Sequence, residues 1–224
     1  CPDPVYQLAQ CFFYGYGTDK NIIQAIRLLR IASRKHHVKS MILLAFCYQY
    51  GIGVEKDLFS AIQLLSIVQN HDQEASFLLG HEYYNSSILE MEAKTIGKQS
   101  KVAVKRDYEL AFHYFLQAKN FPPAQNYLGL CYLNGYGTKK DLFEAYKYFK
   151  LSADGGYLDG MFNLAIFYLT QKSDDSFYTE KAIALLTDAA DQYHMGAALK
   201  LSEIYNNDTI IAQDQKKALY YSKM

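Results

Sequence analysis

Three of the four cysteines, Cys11, Cys47 and Cys131, and the six histidines are the residues of this chain best suited to metal binding, redox or nucleophilic chemistry. Their spacing argues against each use. His36, His37, His71, His81, His113 and His194 show no metal-ligand spacing with cysteine or carboxylate, which leaves solvated or helix-capping roles. The glycine pairs Gly15-Tyr16-Gly17, Gly51-Ile52-Gly53 and Gly135-Tyr136-Gly137 could begin a phosphate-cradling loop. No strand pattern precedes them and no third glycine follows at the required place. Glu90, Glu92 and Lys94 could form an acid-base set, but they lie in an irregular polar stretch and read as a loop. No Gly-x-Ser-x-Gly elbow is present. The residue chemistry predicts no enzyme, no cofactor and no metal site.

What must position these side chains is a repeat. Ala25, Ala61, Ala111, Ala145, Ala182 and Ala218 are spaced by 36, 50, 34, 37 and 36 residues. A second column of small residues, Ala9, Ala45, Gly80, Gly129, Ala165 and Ser202, is spaced by 36, 35, 49, 36 and 37. Both place an insertion of about 14 residues in the third copy. A leucine precedes each member of the second column, and Phe12, Tyr48, Tyr83, Tyr132, Tyr168 and Tyr205 follow three residues later. These offsets share one face of a helix, here termed helix A, where the small residue admits a neighbouring helix and the ring fills the space beside it. The alanine column opens helix B, with apolar residues three and four places on, such as Leu28 and Leu29 or Tyr148 and Phe149. Asn21, Asp57, Asp107, Asp141 and Asp214 stand four residues before that alanine, where they can cap helix B. The glycine pairs then read as turns between antiparallel helices.

The segment from Ala124 to Ala153, AQNYLGLCYLNGYGTKKDLFEAYKYFKLSA, resembles the Sel1-like repeat (SLR), a relative of the tetratricopeptide repeat. The stretches CFFYGYGTDKNIIQA and CYQYGIGVEKDLFSA resemble it nearly as well, whereas copies 3, 5 and 6 lack the glycine pair. The resemblance implies an all-α fold, a right-handed α-α superhelical solenoid of six helical hairpins. The repeats run over about residues 4–37, 38–72, 73–121 (insertion about 86–103), 122–157, 158–193 and 194–224, the last incomplete. A chain that starts at Cys1 and stops inside the last helix B reads as a fragment of a longer protein. The resemblance further implies an adaptor or scaffold that binds a partner protein or peptide. Family members include subunits of membrane ubiquitin-ligase complexes, activators of chitin synthase and secreted bacterial proteins, so a regulatory or targeting domain of a larger protein is the alternative.

In the tetratricopeptide relatives the partner-binding face is formed by helix A residues three and two before, and one and four after, the small residue. On this chain those offsets give 24 positions, of which 15 are apolar or aromatic and two are charged. Phe46, Phe77, Tyr84, Asn126, Tyr127, Leu130, Phe162, Asn163 and Ile166 are the candidate partner-binding residues. Asn126, Tyr127, Leu130 and Phe162 form the expected centre, where an amide among apolar neighbours could bond a peptide backbone. The alternative is that these side chains complete the core between repeats. The insertion is a second candidate, either a surface excursion or a segment that orders on binding.

Composition excludes other classes. Twenty-three basic residues balance 23 acidic ones, and the densest linear basic cluster holds only Lys98, Lys101, Lys105 and Arg106, so no nucleic-acid partner is expected. No apolar run approaches the length of a membrane span, and direct membrane insertion is not expected. Exposed solenoid ends allow a homo-oligomer. Cys11 and Cys47 occupy equivalent positions one repeat apart, and helix axes about 8–10 Å apart exceed the roughly 7 Å reach of a disulfide. Thiols weakly favour a cytoplasmic setting. Two glycosylation sequons, Asn85-Ser86-Ser87 and Asn207-Asp208-Thr209, keep the endoplasmic reticulum lumen or secretion open, although about one is expected by chance.

Overall fold

The paired apolar stripes fold as twelve helices among the described residues of a computed structural model. The described residues are 3–85, 89–95, 98–104, 106–170, 176–207 and 213–224, without the side chains of 89–104 and 176. The chain divides into two compact units, Cys1–Ala118 and Lys119–Met224.

The first unit contains α1 (Pro4–Tyr14), α2 (Ile22–Arg34), α3 (Val38–Tyr50), α4 (Leu58–Val68), α5 (Gln73–Asn85), the strands β1 (Leu89–Thr95) and β2 (Lys98–Val104), and α6 (Tyr108–Gln117). Each helix packs on the next in sequence. One core gathers Ala9, Phe13, Ala25, Leu29, Leu44 and Cys47, and a second gathers Met41, Ala45, Ala61, Leu65, Ala75 and Leu79. The second unit contains α7 (Pro122–Asn134), α8 (Leu142–Asp154), α9 (Leu158–Thr170), α10 (Ser176–Asp191), α11 (Met195–Asn206) and α12 (Gln215–Ser222), again packed in succession. Its core includes Ala145, Phe149, Ala165, Ala182, Leu186, Leu201 and Ala218. All six members of the alanine column are buried, as their role at the helix crossing requires.

Five of the hairpins are closed in the same way. Asn21, Asp57, Asp107, Asp141 and Asp214 all cap helix B through their side chains, accepting from amides of its first turn. Their own backbone amides donate back to the carbonyls of Phe12, Tyr48, Tyr83, Tyr132 and Tyr205 at 2.8–3.0 Å. One residue thus ends the turn, starts helix B and ties it to helix A. Where the glycine pair is present, Gly15, Gly51 and Gly135 end helix A in the left-handed region, with φ of 81, 70 and 76°.

Small and large residues are matched across the first five hairpins. A Cβ added to Gly80 would stand 2.7 Å from the Phe115 ring, and one added to Gly129 would stand 2.5 Å from the Phe149 ring. Helix A carries alanine instead where helix B offers leucine, as with Ala9 and Leu29, Ala45 and Leu65, and Ala165 and Leu186. The volume is held nearly constant while its division between the helices changes.

The insertion differs from its reading as a polar loop. It forms a two-stranded antiparallel sheet in which Leu89 pairs with Val104 and Thr95 with Lys98, so Glu90, Glu92 and Lys94 are strand residues. The run Leu-Glu-Met-Glu-Ala-Lys alternates with a period of two, a strand signature. The excursion does not disturb its hairpin, since Asp107 still donates to the Tyr83 carbonyl at 3.0 Å. Asn85 ends α5 and Asn207 follows α11; the remaining sequon residues, Ser86 and Ser87 with Asp208 and Thr209, lie outside the described residues.

Candidate functional site

In the first unit Phe46 projects from α3 with 36 % of its surface exposed, its ring 4.7 Å from that of Tyr50. Phe77 and Tyr84, both on α5, turn instead toward α6. Their rings each lie 6.1 Å from Phe115, and Tyr84 also meets Tyr108 edge-on at 5.4 Å. These two half-buried rings extend the packing of the third hairpin. Successive repeats are also linked by polar groups, because the Gln49 amide donates to a Glu82 carboxylate oxygen between α3 and α5.

In the second unit Asn126 on α7 is only 3 % exposed, and Asn163 Nδ2 on α9 donates to its Oδ1 at 2.8 Å. The amides expected to await a peptide are therefore bonded to each other, and the carbonyl of Asn126 is used within the fold. Asn163 is half-buried, as are Tyr127, Leu130, Phe162 and Ile166 on the same two helices. Leu130 and Phe162 rest against the apolar core, and the Phe162 ring lies 5.2 Å from that of His194.

Two of the histidines, His37 and His194, cap helices. His194 Nδ1 accepts the Ala197 amide at 3.0 Å to cap α11, while Nε2 lies 2.9 Å from Asp159. An accepting Nδ1 fixes the neutral ring as the tautomer with hydrogen on Nε2, which donates to the carboxylate. His37 caps α3 in the same manner through Ser40. Burial and then the neighbouring Asp159 push the Tyr157 hydroxyl well above the ordinary phenol range.

Burial alone pushes the thiols of Cys47 and Cys131 up to about 11 and about 12. Both are free, as is the half-buried Cys11, and protonated buried thiols are poor nucleophiles. Among the described residues no group of three histidine, cysteine or acidic side chains could hold a metal ion, and no helix is long and apolar enough to cross a membrane.

The offset rule missed several exposed aromatics. Tyr14, Tyr16 and Tyr50 lie at or just beyond the C-terminal ends of α1 and α3, with Tyr14 and Tyr16 stacked at 5.3 Å. For Tyr14 and Tyr50 the signal was the aromatic five places after the small residue in copies 1 and 2, a position outside the tetratricopeptide set.

The family model of the Sel1 repeat matches residues 5–37, 38–67, 99–120, 122–157, 158–194 and 196–224. The chain belongs to the Sel1 repeat family. Sel1 repeat proteins are generally non-catalytic helical scaffolds for protein interaction. A Sel1 repeat protein from Oxalobacter formigenes shares 26 % identity and superposes with a TM-score of 0.78 over 98 % of this chain and 85 % of that one. A protective antigen of uropathogenic Escherichia coli with an SLR fold shares 21 % identity at a TM-score of 0.71, covering 98 % of this chain and 44 % of its own. An immunity protein from Pseudomonas aeruginosa, 20 % identical with a TM-score of 0.61, covers all of this chain and 81 % of its own, and shares the fold. A comparison with curated proteins finds no match.

Proposed function

We propose that this Sel1 repeat chain is an adaptor that binds an extended protein segment through the exposed parts of its helix A faces. Phe46, Phe77 and Tyr84 would contribute in the first unit, and Asn126, Tyr127, Leu130, Phe162, Asn163 and Ile166 in the second. The observation that supports this reading best is the bonded pair Asn126–Asn163 on two helices that carry half-buried apolar side chains. With that bond made, Asn163 retains its carbonyl oxygen and one N–H, and Asn126 its NH2 group. An extended backbone offers the matching donor and acceptor, while Tyr127, Leu130, Phe162 and Ile166 supply apolar contact for its side chains. Fixing the amides before binding lowers the ordering cost of association.

The test is selection of a displayed random-peptide library on the full chain, followed by titration of the enriched peptides. Apolar peptides without acidic excess should emerge, and Tyr127→Ala with Leu130→Ala should weaken them about tenfold or more, the loss typical of central interface anchors, with an unchanged far-ultraviolet spectrum. Undiminished binding of these peptides would refute the site.

A further inference from the structure

We propose that the solvent face of α2 is a second interaction surface, built for an acidic protein segment that also carries apolar side chains. Ile23, Arg27, Arg30, Ile31 and Arg34 are separated in sequence, but at 100° per residue they fall within an arc of about 100° on one helix. All five are exposed, with Ile23 at 64 % and Ile31 at 45 %. The opposite side of the helix is spent on the core through Ala25, Ile26, Leu29 and Ala32. No acidic residue lies within α2.

The arginines are unusual among the helix B faces of this chain. They stand two, five and nine places after the column alanine, where copy 2 has Gln63, Ser66 and Asn70 and copy 5 has Ala184, Thr187 and Asp191. In copy 4 the corresponding Lys147 is neutralised by Glu144 at 3.1 Å. Arg27 and Arg34 have no ion-pair partner among the described residues. Arg30 is held in place rather than neutralised: its guanidinium donates to the Tyr48 hydroxyl at 3.2 Å and lies 6.0 Å from that ring's centre.

Charge complementarity selects the occupant. Three guanidinium groups of one sign, in a chain of zero net charge, favour an anionic partner, and their planar forks match carboxylates two bonds at a time. The two exposed isoleucines add an apolar requirement that a simple polyanion does not meet. A segment with Asp or Glu flanking Leu, Ile or Phe satisfies both. This face lies on helix B, so the inference stands whether or not the helix A site binds peptide.

The experiment selects a displayed random-peptide library on the full chain and titrates the enriched peptides against three double variants. Peptides rich in Asp or Glu with interspersed apolar residues should emerge, lose about tenfold or more on Arg27→Glu with Arg34→Glu, and be weakened by raised salt. They should be indifferent to Tyr127→Ala with Leu130→Ala, which separates this face from the helix A site. Arg27→Lys with Arg34→Lys should fall between, because it keeps the charge and removes the fork. A selection that enriches no acidic peptide, or acidic peptides that bind the charge-reversed chain equally well, overturns the proposal. Salt-sensitive binding to vesicles of phosphatidylcholine and phosphatidylserine that the reversal abolishes, with no acidic peptide selected, assigns the face to membranes and also overturns it. Arg27 and Arg34 lie at exposed positions, and an unchanged thermal unfolding curve of their variants confirms that the fold is intact.

Discussion

Asn163 Nδ2 donates to Asn126 Oδ1 at 2.8 Å, and this bond ties α9 to α7 through side chains 37 residues apart. It makes a polar seam between two repeats whose other contacts are mainly apolar. A seam of this kind serves the fold and the proposed binding site together.

Removing one partner should therefore cost more than removing both. Asn126→Ala leaves the Asn163 amide without its acceptor and is expected to destabilise the second unit by about 1–3 kcal/mol. Leucine at both positions keeps the volume and deletes the polar demand, and should be close to neutral. Urea unfolding midpoints compare the two, and a double leucine variant that is as unstable as the single alanine would contradict this account. The double variant should also lose the peptides selected on the helix A face.

The matching of glycine with phenylalanine predicts strong coupling. Gly129→Ala drives a methyl into the Phe149 ring and should cost about 1–3 kcal/mol. Phe149→Leu alone opens a void in a fully buried position and is destabilising as well. Combined, the changes reproduce the alanine and leucine pairing of the first, second and fifth copies, and should recover at least about 1 kcal/mol relative to the sum of the singles. A double-mutant cycle by chemical denaturation reads the coupling; additive losses would show that the close approach is not what sets residue size here.

Alkaline pH should weaken the fold through its buried thiols. An unfolded cysteine loses its proton near pH 8.5, whereas Cys47 and Cys131 in the folded chain are raised to about 11 and about 12. The folded state therefore holds protons that the unfolded state releases. The contribution is constant below the unfolded value and is lost as pH rises from there through the folded values. Stability measured between pH 8 and pH 10 should fall in the native chain and fall less when both cysteines are alanine. In the same range a thiol reagent should modify the half-buried Cys11 well before the other two.

Much of the architecture was legible because each hairpin is specified locally. The alanine column, the leucine before the small residue and the aromatic three places after it all describe one helix face, and the five acidic or amide caps fall where the sequence places them. The insertion was read less well. Its charged residues read as a polar loop, while its alternation over Leu89–Thr95 is that of a strand. The site was legible only as a list of offsets. Those offsets could not distinguish Phe46, which projects, from Phe77 and Tyr84, which lean on Phe115. The count of basic residues along the chain likewise pointed to Lys98–Arg106, because three arginines three and four residues apart become neighbours only when α2 winds them onto one side.

Period, hairpin boundaries and capping were determined by the sequence itself, since those signals act over a few residues and repeat in phase. Tertiary structure alone decided which polar groups satisfy one another and which rings stay open. Asn126 meets Asn163, and Gln49 meets Glu82, across separations of 37 and 33 residues. No local pattern encodes such a distance; it is set by how closely one hairpin packs on the next.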